Sequence, residues 1–348
     1  MTRSSTTNRR APPLALTMGE PAGIGPDISL AAWMRRGRAR VPPFFLLACP
    51  DLIRQRIRQL KLDVPVREIS RPDDAADIFP NALPVLALAR SVRANPGSPD
   101  PGNGAAVLES IETATALFRQ GKASAIVTNP IQKSVLYAAG FEHPGHTEFL
   151  EFLAGPDAFA VMMLAIPGLR VVPVTVHQAL SAVPAALTAD LIVRTGRTVA
   201  ASLRNDFGIQ VPRLAVAGLN PHAGEAGTMG REEVEIIAPA IAALRDDGID
   251  VAGPKPADTM FHKEARAAYD AALCMYHDQA LIPLKTVNFH EGVNVTIGLP
   301  FVRTSPDHGT ALDIAGSGKA DPRSLIAALK LAGNISRARG RAKKRAAS

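Results

Sequence analysis

Residues 14–27 read LALTMGEPAGIGPD and combine the three local patterns that decide the fold. The apolar run Leu14–Thr17 is typical of a buried strand, and the glycines that follow it favour a tight turn. Pro26 then opens a segment with helical character, because proline suits the first turn of a helix. Strand, turn and helix in this order form the repeating unit of an α/β protein, in which successive strands lie parallel.

The same alternation continues along the chain. Further strands are predicted at Phe44–Ala48 and at 125–127, 160–164, 171–176, 214–217 and 272–276, and helices at 105–118, 189–203 and 232–244. The strands are short uninterrupted apolar runs, whereas the helix at 105–118 carries its apolar residues at helical spacing. Strands separated by helices predict βαβ units, and therefore an α/β fold with mainly parallel sheets.

Length, composition and charge limit the class of protein. A chain of 348 residues corresponds to about two domains. Its content of 47% hydrophobic and 20% charged residues excludes a disordered chain and a disulfide scaffold. The net charge of +7 comes from nine basic residues within 1–10 and 337–348, and removing them leaves −2 for the rest. These stretches are predicted to be basic disordered tails on a nearly neutral body, and no nucleic-acid partner is expected.

Cysteine content and hydropathy predict a cytoplasmic protein. The two cysteines, Cys49 and Cys274, lie far apart in apolar runs, which is typical of buried thiols in a reducing compartment. No apolar run of about 18 residues is present, so no membrane partner is expected. The basic N-terminus lacks the apolar core of a signal peptide.

The glycine-rich turn admits two interpretations. Its backbone amides could face an anion, since a glycine turn before a helix lets a ligand approach the main chain. Its spacing, G-x-x-x-G-x-G, differs from the G-x-G-x-x-G signature of dinucleotide-binding proteins. A tight turn without any ligand therefore remains the alternative.

Three histidines follow three predicted strands. His177 ends one apolar run, His222 comes shortly after a second, and His277 ends a third. Because the carboxyl ends of parallel strands form the ligand crevice of an α/β sheet, the three side chains could meet there. Three imidazoles could hold a divalent ion and leave one position open for substrate. Satisfied structural histidines are the alternative, since no local metal-binding motif supports the set.

Other polar residues suggest an anionic substrate. His146 and Thr147 open a predicted helix and could face a phosphate, although a simple helix cap would need the same residues. Asn294 and Arg303 flank a further apolar run, and arginine suits a bidentate grip on phosphate or carboxylate. Asp258 lies in a proline-rich loop, where a helix N-cap is the alternative.

Six motifs, taken in order, resemble the 4-hydroxythreonine-4-phosphate dehydrogenase family of pyridoxal phosphate biosynthesis. They are GEPAGIGPD at 19–27, GHTEFL at 145–150, NPHAGE at 220–225, PADT at 256–259, YHDQ at 276–279 and DHGTALDIAG at 307–316. The resemblance implies a two-lobed fold like that of isocitrate and isopropylmalate dehydrogenases, with the active site in the cleft between the lobes. The terminal lobe would comprise 11–130 plus 286–336, and the middle lobe, with the metal ligands and dimer contacts, 131–285.

The resemblance also assigns roles to individual residues. It implies a homodimer with a shared active site, in which one metal ligand crosses between subunits. The metal ligands would be His177, His222 and His277, with zinc as the first choice and magnesium or cobalt as alternatives. The substrate-binding residues would be His146, Thr147, Lys285, Asn294 and Arg303. The cofactor-binding residues, for NAD or alternatively NADP, would be Asp307, His308, Gly309, Thr310 and Asp313.

The implied reaction is oxidation of 4-phosphooxy-L-threonine at the C3 hydroxyl, followed by decarboxylation to 3-amino-2-oxopropyl phosphate. Lys285, Asp258 and Asp278 are the candidates for the proton acceptor, and the sequence does not choose among them. Oxidation of 4-phospho-D-threonate or 4-phospho-D-erythronate by the same site is an alternative. A non-catalytic protein that binds polyanions through its tails is the alternative from a different class.

Overall fold

The computed structural model describes residues 11–346, with side chains up to residue 342. Twelve strands of this part of the chain form one sheet: β1 (Leu14–Thr17), β2 (Phe44–Ala48), β3 (Val66–Ile69), β4 (Leu83–Ala87), β5 (Ile126–Val127), β6 (Val161–Ile166), β7 (Leu169–Pro173), β8 (Arg213–Ala217), β9 (Asp250–Lys255), β10 (Ala271–Cys274), β11 (Val293–Ile297) and β12 (Arg303–Pro306). Their order is β3-β4-β2-β1-β5-β12-β11-β6-β7-β10-β8-β9. Only the neighbours β12–β11, β11–β6 and β6–β7 are antiparallel.

Helices cover the sheet: α1 (Gly25–Met34), α2 (Arg36–Ala39), α3 (Pro50–Leu60), α4 (Ala75–Ile78), α5 (Gly104–Arg119), α6 (Lys133–Ala138), α7 (His146–Ala154), α8 (Val183–Ala186), α9 (Ala189–Asn205), α10 (Ala238–Asp246), α11 (Lys263–Arg266), α12 (His277–Val287) and α13 (Arg323–Ala346). The predicted α/β class is confirmed. Every residue of β1 and β2 is buried, as expected for parallel strands covered on both faces. The parallel strands form two blocks within one continuous sheet, joined by the antiparallel strands β11 and β6.

The predicted elements agree with the structure in place and type, and one of them changes geometry. The helix predicted at 232–244 begins as a π-helical turn, Glu233–Ile237, and continues as α10. Pro239 lies in the first turn of α10 and has no N–H to donate, which favours the wider turn before it.

The C-terminal stretch differs from the prediction of a basic disordered tail at 337–348, because α13 continues to Ala346. Arg339 explains this continuation. Its guanidinium pairs with the buried Asp206 at 2.5 Å and donates to the carbonyl oxygen of Pro300 at 3.2 Å, so the helix docks on the body through a basic side chain. The other predicted tail, 1–10, lies outside the described residues. No helix within 11–346 combines the length and apolar character needed to span a membrane.

Candidate active site

A cleft of about 410 Å³ lies beside the middle of the sheet. It is lined by the ends of β5 and β12, the first turns of α7 and α12, and the loop after β12. Ten residues predicted from the sequence line it: His146, Thr147, His177, His277, Lys285, Asn294, Arg303, Asp307, His308 and Gly309. Residues from six separate segments of the chain therefore meet in one site.

One side of the cleft is a buried anion pocket, formed by Arg303, His146 and Asn294. The Arg303 guanidinium donates to the hydroxyl of Thr128 at 2.8 Å and to that of Thr296 at 2.7 Å. Burial lowers the pKa of Arg303 to about 10, which still leaves it charged at neutral pH. Nε2 of His146 and Oδ1 of Asn294 are buried without a hydrogen-bond partner. Buried polar atoms are normally paired, so these two atoms mark a place for a ligand.

His146 is held in its neutral form. Burial lowers its pKa well below the usual value, and the positive charges of Arg303 and Lys133 lower it further. A neutral imidazole beside a buried guanidinium offers one N–H donor and one acceptor. The pocket can therefore bind an anionic group through the charge of Arg303 and orient it through His146.

The other side of the cleft is a histidine pair. His177 follows β7 and His277 opens α12, with their ring centroids 5.8 Å apart. Nδ1 of His277 lies 2.7 Å from Oδ1 of Asp278, which leaves Nε2 free to face the cleft. Burial lowers the pKa of His177, and so do the charges of Lys133 and His277, while Glu148 opposes them. A neutral imidazole is the form that binds metal ions.

His222, the third predicted metal ligand, does not join this pair in the same chain. It is exposed, in the turn Pro221–Gly227, where His222 to Ala226 all have positive φ angles. Glu233 supports this strained backbone by accepting the amides of Leu219 and Asn220, both at 2.7 Å. Within residues 11–346, no three His, Cys, Asp or Glu side chains of one chain are arranged to hold a metal ion.

The three candidates for the proton acceptor lie in different places. Lys285 lines the cleft, with Nζ 3.2 Å from Oδ2 of Asp307. Burial raises the pKa of Asp307, and the positive charge of Lys285 opposes that effect. Asp278 is exposed and contacts His277, whereas Asp258 is exposed in the turn Ala257–Thr259, which packs against the turn that carries His222. Neither aspartate lines the cleft of its own chain.

The predicted cofactor loop, 307–316, forms the rim of the cleft. Nε2 of His308 is buried without a partner, and the space around the Cα of Gly309 is open. The hydroxyl of Thr310 donates to Oε1 of Gln132 at 3.0 Å, so this loop contacts the loop after β5. Thr310 is buried and Asp313 is exposed, and neither lines the cleft.

Sequence reasoning missed several residues of the site. Thr128 and Thr296 hold Arg303 through hydrogen bonds. The positive charge of Lys133 lowers the pKa of His146 and of His177. The negative charge of Glu148 raises the pKa of His177 and of Arg303. One signal was available for Thr128 and Lys133, since both lie in the polar stretch TNPIQK directly after a predicted strand. Thr296 lies inside an apolar run and gave no signal.

The chain is an α/β protein with a cleft that can accept an anionic group, and comparison with known proteins makes it an oxidoreductase. The family model described as "Pyridoxal phosphate biosynthetic protein PdxA" matches residues 40–332. The chain belongs to this family.

Three named relatives are similar to this chain over nearly its whole length. A 4-hydroxythreonine-4-phosphate dehydrogenase from Methylorubrum extorquens (strain PA1) is 59% identical over 326 residues, covering 92% of this chain and 93% of the relative. One from Bradyrhizobium diazoefficiens is 56% identical over 343 residues, covering 95% and 99%. The crystal structure of 4-hydroxythreonine-4-phosphate dehydrogenase from Klebsiella pneumoniae has a TM-score of 0.85 at 37% identity, covering 95% of this chain and 99% of that one.

Proposed function

We propose that the protein oxidises 4-phosphooxy-L-threonine at its C3 hydroxyl with NAD, with the help of a divalent metal ion, and that decarboxylation then yields 3-amino-2-oxopropyl phosphate for pyridoxal 5'-phosphate biosynthesis. One observation carries the proposal: a buried anion pocket and a pair of histidines share a single cleft. The substrate is small, with anionic groups near a hydroxyl, so it needs both features within a short distance.

The anion pocket would bind the charged groups of the substrate. Arg303 supplies a fixed positive charge, because its guanidinium is already held by two threonine hydroxyls. His146 and Asn294 supply the unpaired polar atoms, and Thr147 lies beside His146 in the first turn of α7. Side chains held this firmly keep a substrate in a reactive orientation, which contributes much of the rate in such reactions.

The histidine pair suits a metal ion, since both rings line one cleft and the lowered pKa of His177 favours its neutral form. Imidazole ligands favour zinc or cobalt over magnesium. When bound, the metal would act as a Lewis acid on the substrate hydroxyl. We assign the third ligand to His222 of a second copy, because His222 is exposed in a strained turn and does not line the cleft of its own chain.

A homodimer with a shared active site follows from this assignment. Large apolar side chains are exposed close to the metal ligands: Leu180 follows His177 in sequence and is 66% exposed, and Ile282 in α12 is 62% exposed. Met229, next to the turn that carries His222, is 45% exposed. Apolar groups of this size favour a protein contact, and a second copy would cover them while supplying His222.

Loop 307–316 would hold the dinucleotide, which accepts a hydride from the substrate. The buried, unpaired Nε2 of His308 and the open space at Gly309 support this assignment. We take NAD as the cofactor and NADP as the alternative. Among the candidates for proton acceptor we favour Lys285, because it alone lines the cleft, while Asp278 would orient His277 and Asp258 would accompany His222.

The two lobes would follow the predicted boundaries, 11–130 plus 286–336 and 131–285, with the cleft between them. We place the enzyme in the cytoplasm, which the two free cysteines, Cys49 and Cys274, support.

The test is NADH formation from NAD with 4-phosphooxy-L-threonine, after chelation and again after zinc, cobalt or magnesium is restored. We expect metal-dependent NADH formation with release of carbon dioxide. If the protein turned over only 4-phospho-D-threonate or 4-phospho-D-erythronate, the proposed site would stand and the proposed substrate would be wrong. No turnover of any of the three by a folded, metal-loaded dimer would contradict the proposed function.

A further inference from the structure

A buried ion pair, Asp27 with Arg56, lies under the glycine-rich turn that the proposed function does not use. The side chains of Asp27 and Arg56 are only 3% and 2% exposed. The Arg56 guanidinium pairs with Oδ2 of Asp27 and also donates to the carbonyl oxygens of Gly23 and Pro21, each at 3.1 Å. Because Arg56 belongs to α3, these contacts attach the glycine-rich turn to that helix.

The glycine-rich turn also holds both ends of segment 310–316, which is part of loop 307–316. The amide of Ile24 donates to the carbonyl oxygen of Thr310 at 3.0 Å. Oδ1 of Asp27, the oxygen directed away from the main contact with Arg56, accepts the amide of Gly316 at 2.8 Å. The segment 310–316 is therefore attached at its first and last residues to one rigid support.

One glycine of the turn, Gly23, and one of the loop, Gly316, are required by this contact. A Cβ atom on Gly23 would lie 2.9 Å from the carbonyl oxygen of Thr310, so any side chain would push the loop away. Gly316 has a φ of +70°, and a Cβ atom there would lie 2.4 Å from Gln59 of α3. The turn thus serves as a platform for a second loop, which favours the interpretation without a ligand of its own.

We propose that Asp27 and Arg56 are positioning residues that hold segment 310–316 in the shape that binds the dinucleotide. The inference rests on the proposed function, because it assumes that loop 307–316 takes the cofactor. Neither side chain reaches the cleft, so each acts through the loop. A loop held at both ends before binding loses less conformational entropy when a ligand orders it. The pair should therefore affect cofactor affinity and leave substrate affinity unchanged.

The test compares Asp27→Asn and Arg56→Lys with a matched control pair. Buried Asp206 also pairs with an arginine, Arg339, which is 20% exposed; this pair joins the end of α9 to α13 and lines no part of the cleft. Asp206→Asn and Arg339→Lys should therefore lower thermal stability to a comparable extent. We expect the Kd for NAD, measured by calorimetry, to rise about ten-fold or more in the Asp27 and Arg56 variants only. Their KM for the phosphorylated substrate should stay within about two-fold of wild type.

Hydrogen exchange of the ligand-free dimer gives a second readout. The amide of Gly316 should exchange faster in Asp27→Asn and Arg56→Lys than in wild type, and should be unchanged in the control variants. Variants that lose stability but retain both the wild-type Kd for NAD and slow exchange at Gly316 would overturn the inference. A wild-type protein that binds no dinucleotide would overturn the proposed cofactor, and the positioning role with it, whatever the exchange rates.

Discussion

The two sides of the cleft are built in different ways. The anion pocket is completed within one chain: Arg303 is buried, two threonine hydroxyls hold it, and its neighbours His146 and Asn294 leave polar atoms free for a ligand. The histidine pair follows β7 and opens α12, and its proposed third member, His222, is exposed and does not line the cleft of its own chain.

Because of this difference, substrate binding and the chemical step would depend on different parts of the assembly. A buried pocket on strands is rigid and can select an anionic substrate in a single chain. A metal site with one ligand from another chain would exist only after assembly, so activity would depend on the dimer while substrate affinity would depend on the chain alone. Each prediction below tests one side of this contrast.

The largest effect should come from mixing two inactive variants, His222→Ala and His277→Ala. Each homodimer lacks one ligand in both of its sites, so both should lose nearly all activity. If His222 crosses between subunits, a mixed dimer has one intact site and one that lacks two ligands. Equal mixing after reversible dissociation should restore about a quarter of the wild-type rate, since half of the dimers are mixed. NADH absorbance measures the recovery.

Mixing His177→Ala with His277→Ala provides the control. These two ligands lie in the same chain, so every site in that mixed dimer lacks one of them. No recovery is expected. Recovery in this control, or none in the first mixture, would contradict the assignment of His222 to a neighbouring subunit.

The next effect tests the anion pocket through Arg303→Lys. Lysine keeps the charge but cannot donate to Thr128 and Thr296 while also facing a ligand, so we expect KM for the phosphorylated substrate to rise about a hundred-fold. The control is Arg170→Lys, at a partly buried arginine whose guanidinium stacks on Phe207 outside the cleft. If both variants had a similar KM, Arg303 would stabilise the fold without binding the substrate.

Much of the site could be predicted from the sequence because parallel sheets place the carboxyl ends of their strands together. His177 and His277 follow neighbouring strands, β7 and β10, and this adjacency explains why they meet. Asn294 and Arg303 lie instead near the starts of the antiparallel strands β11 and β12, and they were singled out as polar residues beside an apolar run. Local patterns also gave α5 correctly, to within one residue at each end.

The remaining features depend on pairings between distant parts of the chain. Thr128 lies 175 residues from Arg303 in sequence, and their contact requires the parallel register of β5 and β12. The helical course of 337–346 depends on Asp206, which lies 133 residues from Arg339. A basic run without local apolar periodicity is typical of a solvated tail. The buried carboxylate of Asp206, which holds this run on the body, lies elsewhere in the chain and leaves no sign in the run itself.

A smaller effect should follow from Asp278→Asn, which tests the support of the histidine pair. Asn cannot accept the Nδ1–H of His277 as strongly as a carboxylate does, so metal affinity should fall by about 10- to 100-fold. The metal content after dialysis against a graded chelator measures this change. Glu264→Gln, which alters a comparable contact between His262 and Glu264 at 2.9 Å on the surface, should leave metal content unchanged.

The smallest effect concerns the pH dependence of stability and comes from His146. Its pKa is lowered in the folded protein because the ring is buried near Arg303, whereas in the unfolded chain it titrates near its ordinary value of about 6.5. Below that pH the unfolded state binds one proton that the folded state does not. Acidification from neutral pH therefore favours unfolding, by at most about 1.4 kcal/mol per pH unit for this single proton.

His146→Gln removes this proton and retains a polar side chain. Relative to wild type, the variant should lose less stability between neutral pH and about pH 5, as measured by urea unfolding of the metal-free protein without phosphate in the buffer. The exposed His290 offers the control, since His290→Gln removes a histidine that lies outside the cleft. Equal pH slopes for wild type and His146→Gln would mean that the imidazole is protonated in the folded state. Below about pH 6.5 the anion pocket would then bind phosphate through two positive charges rather than through one charge and one neutral donor.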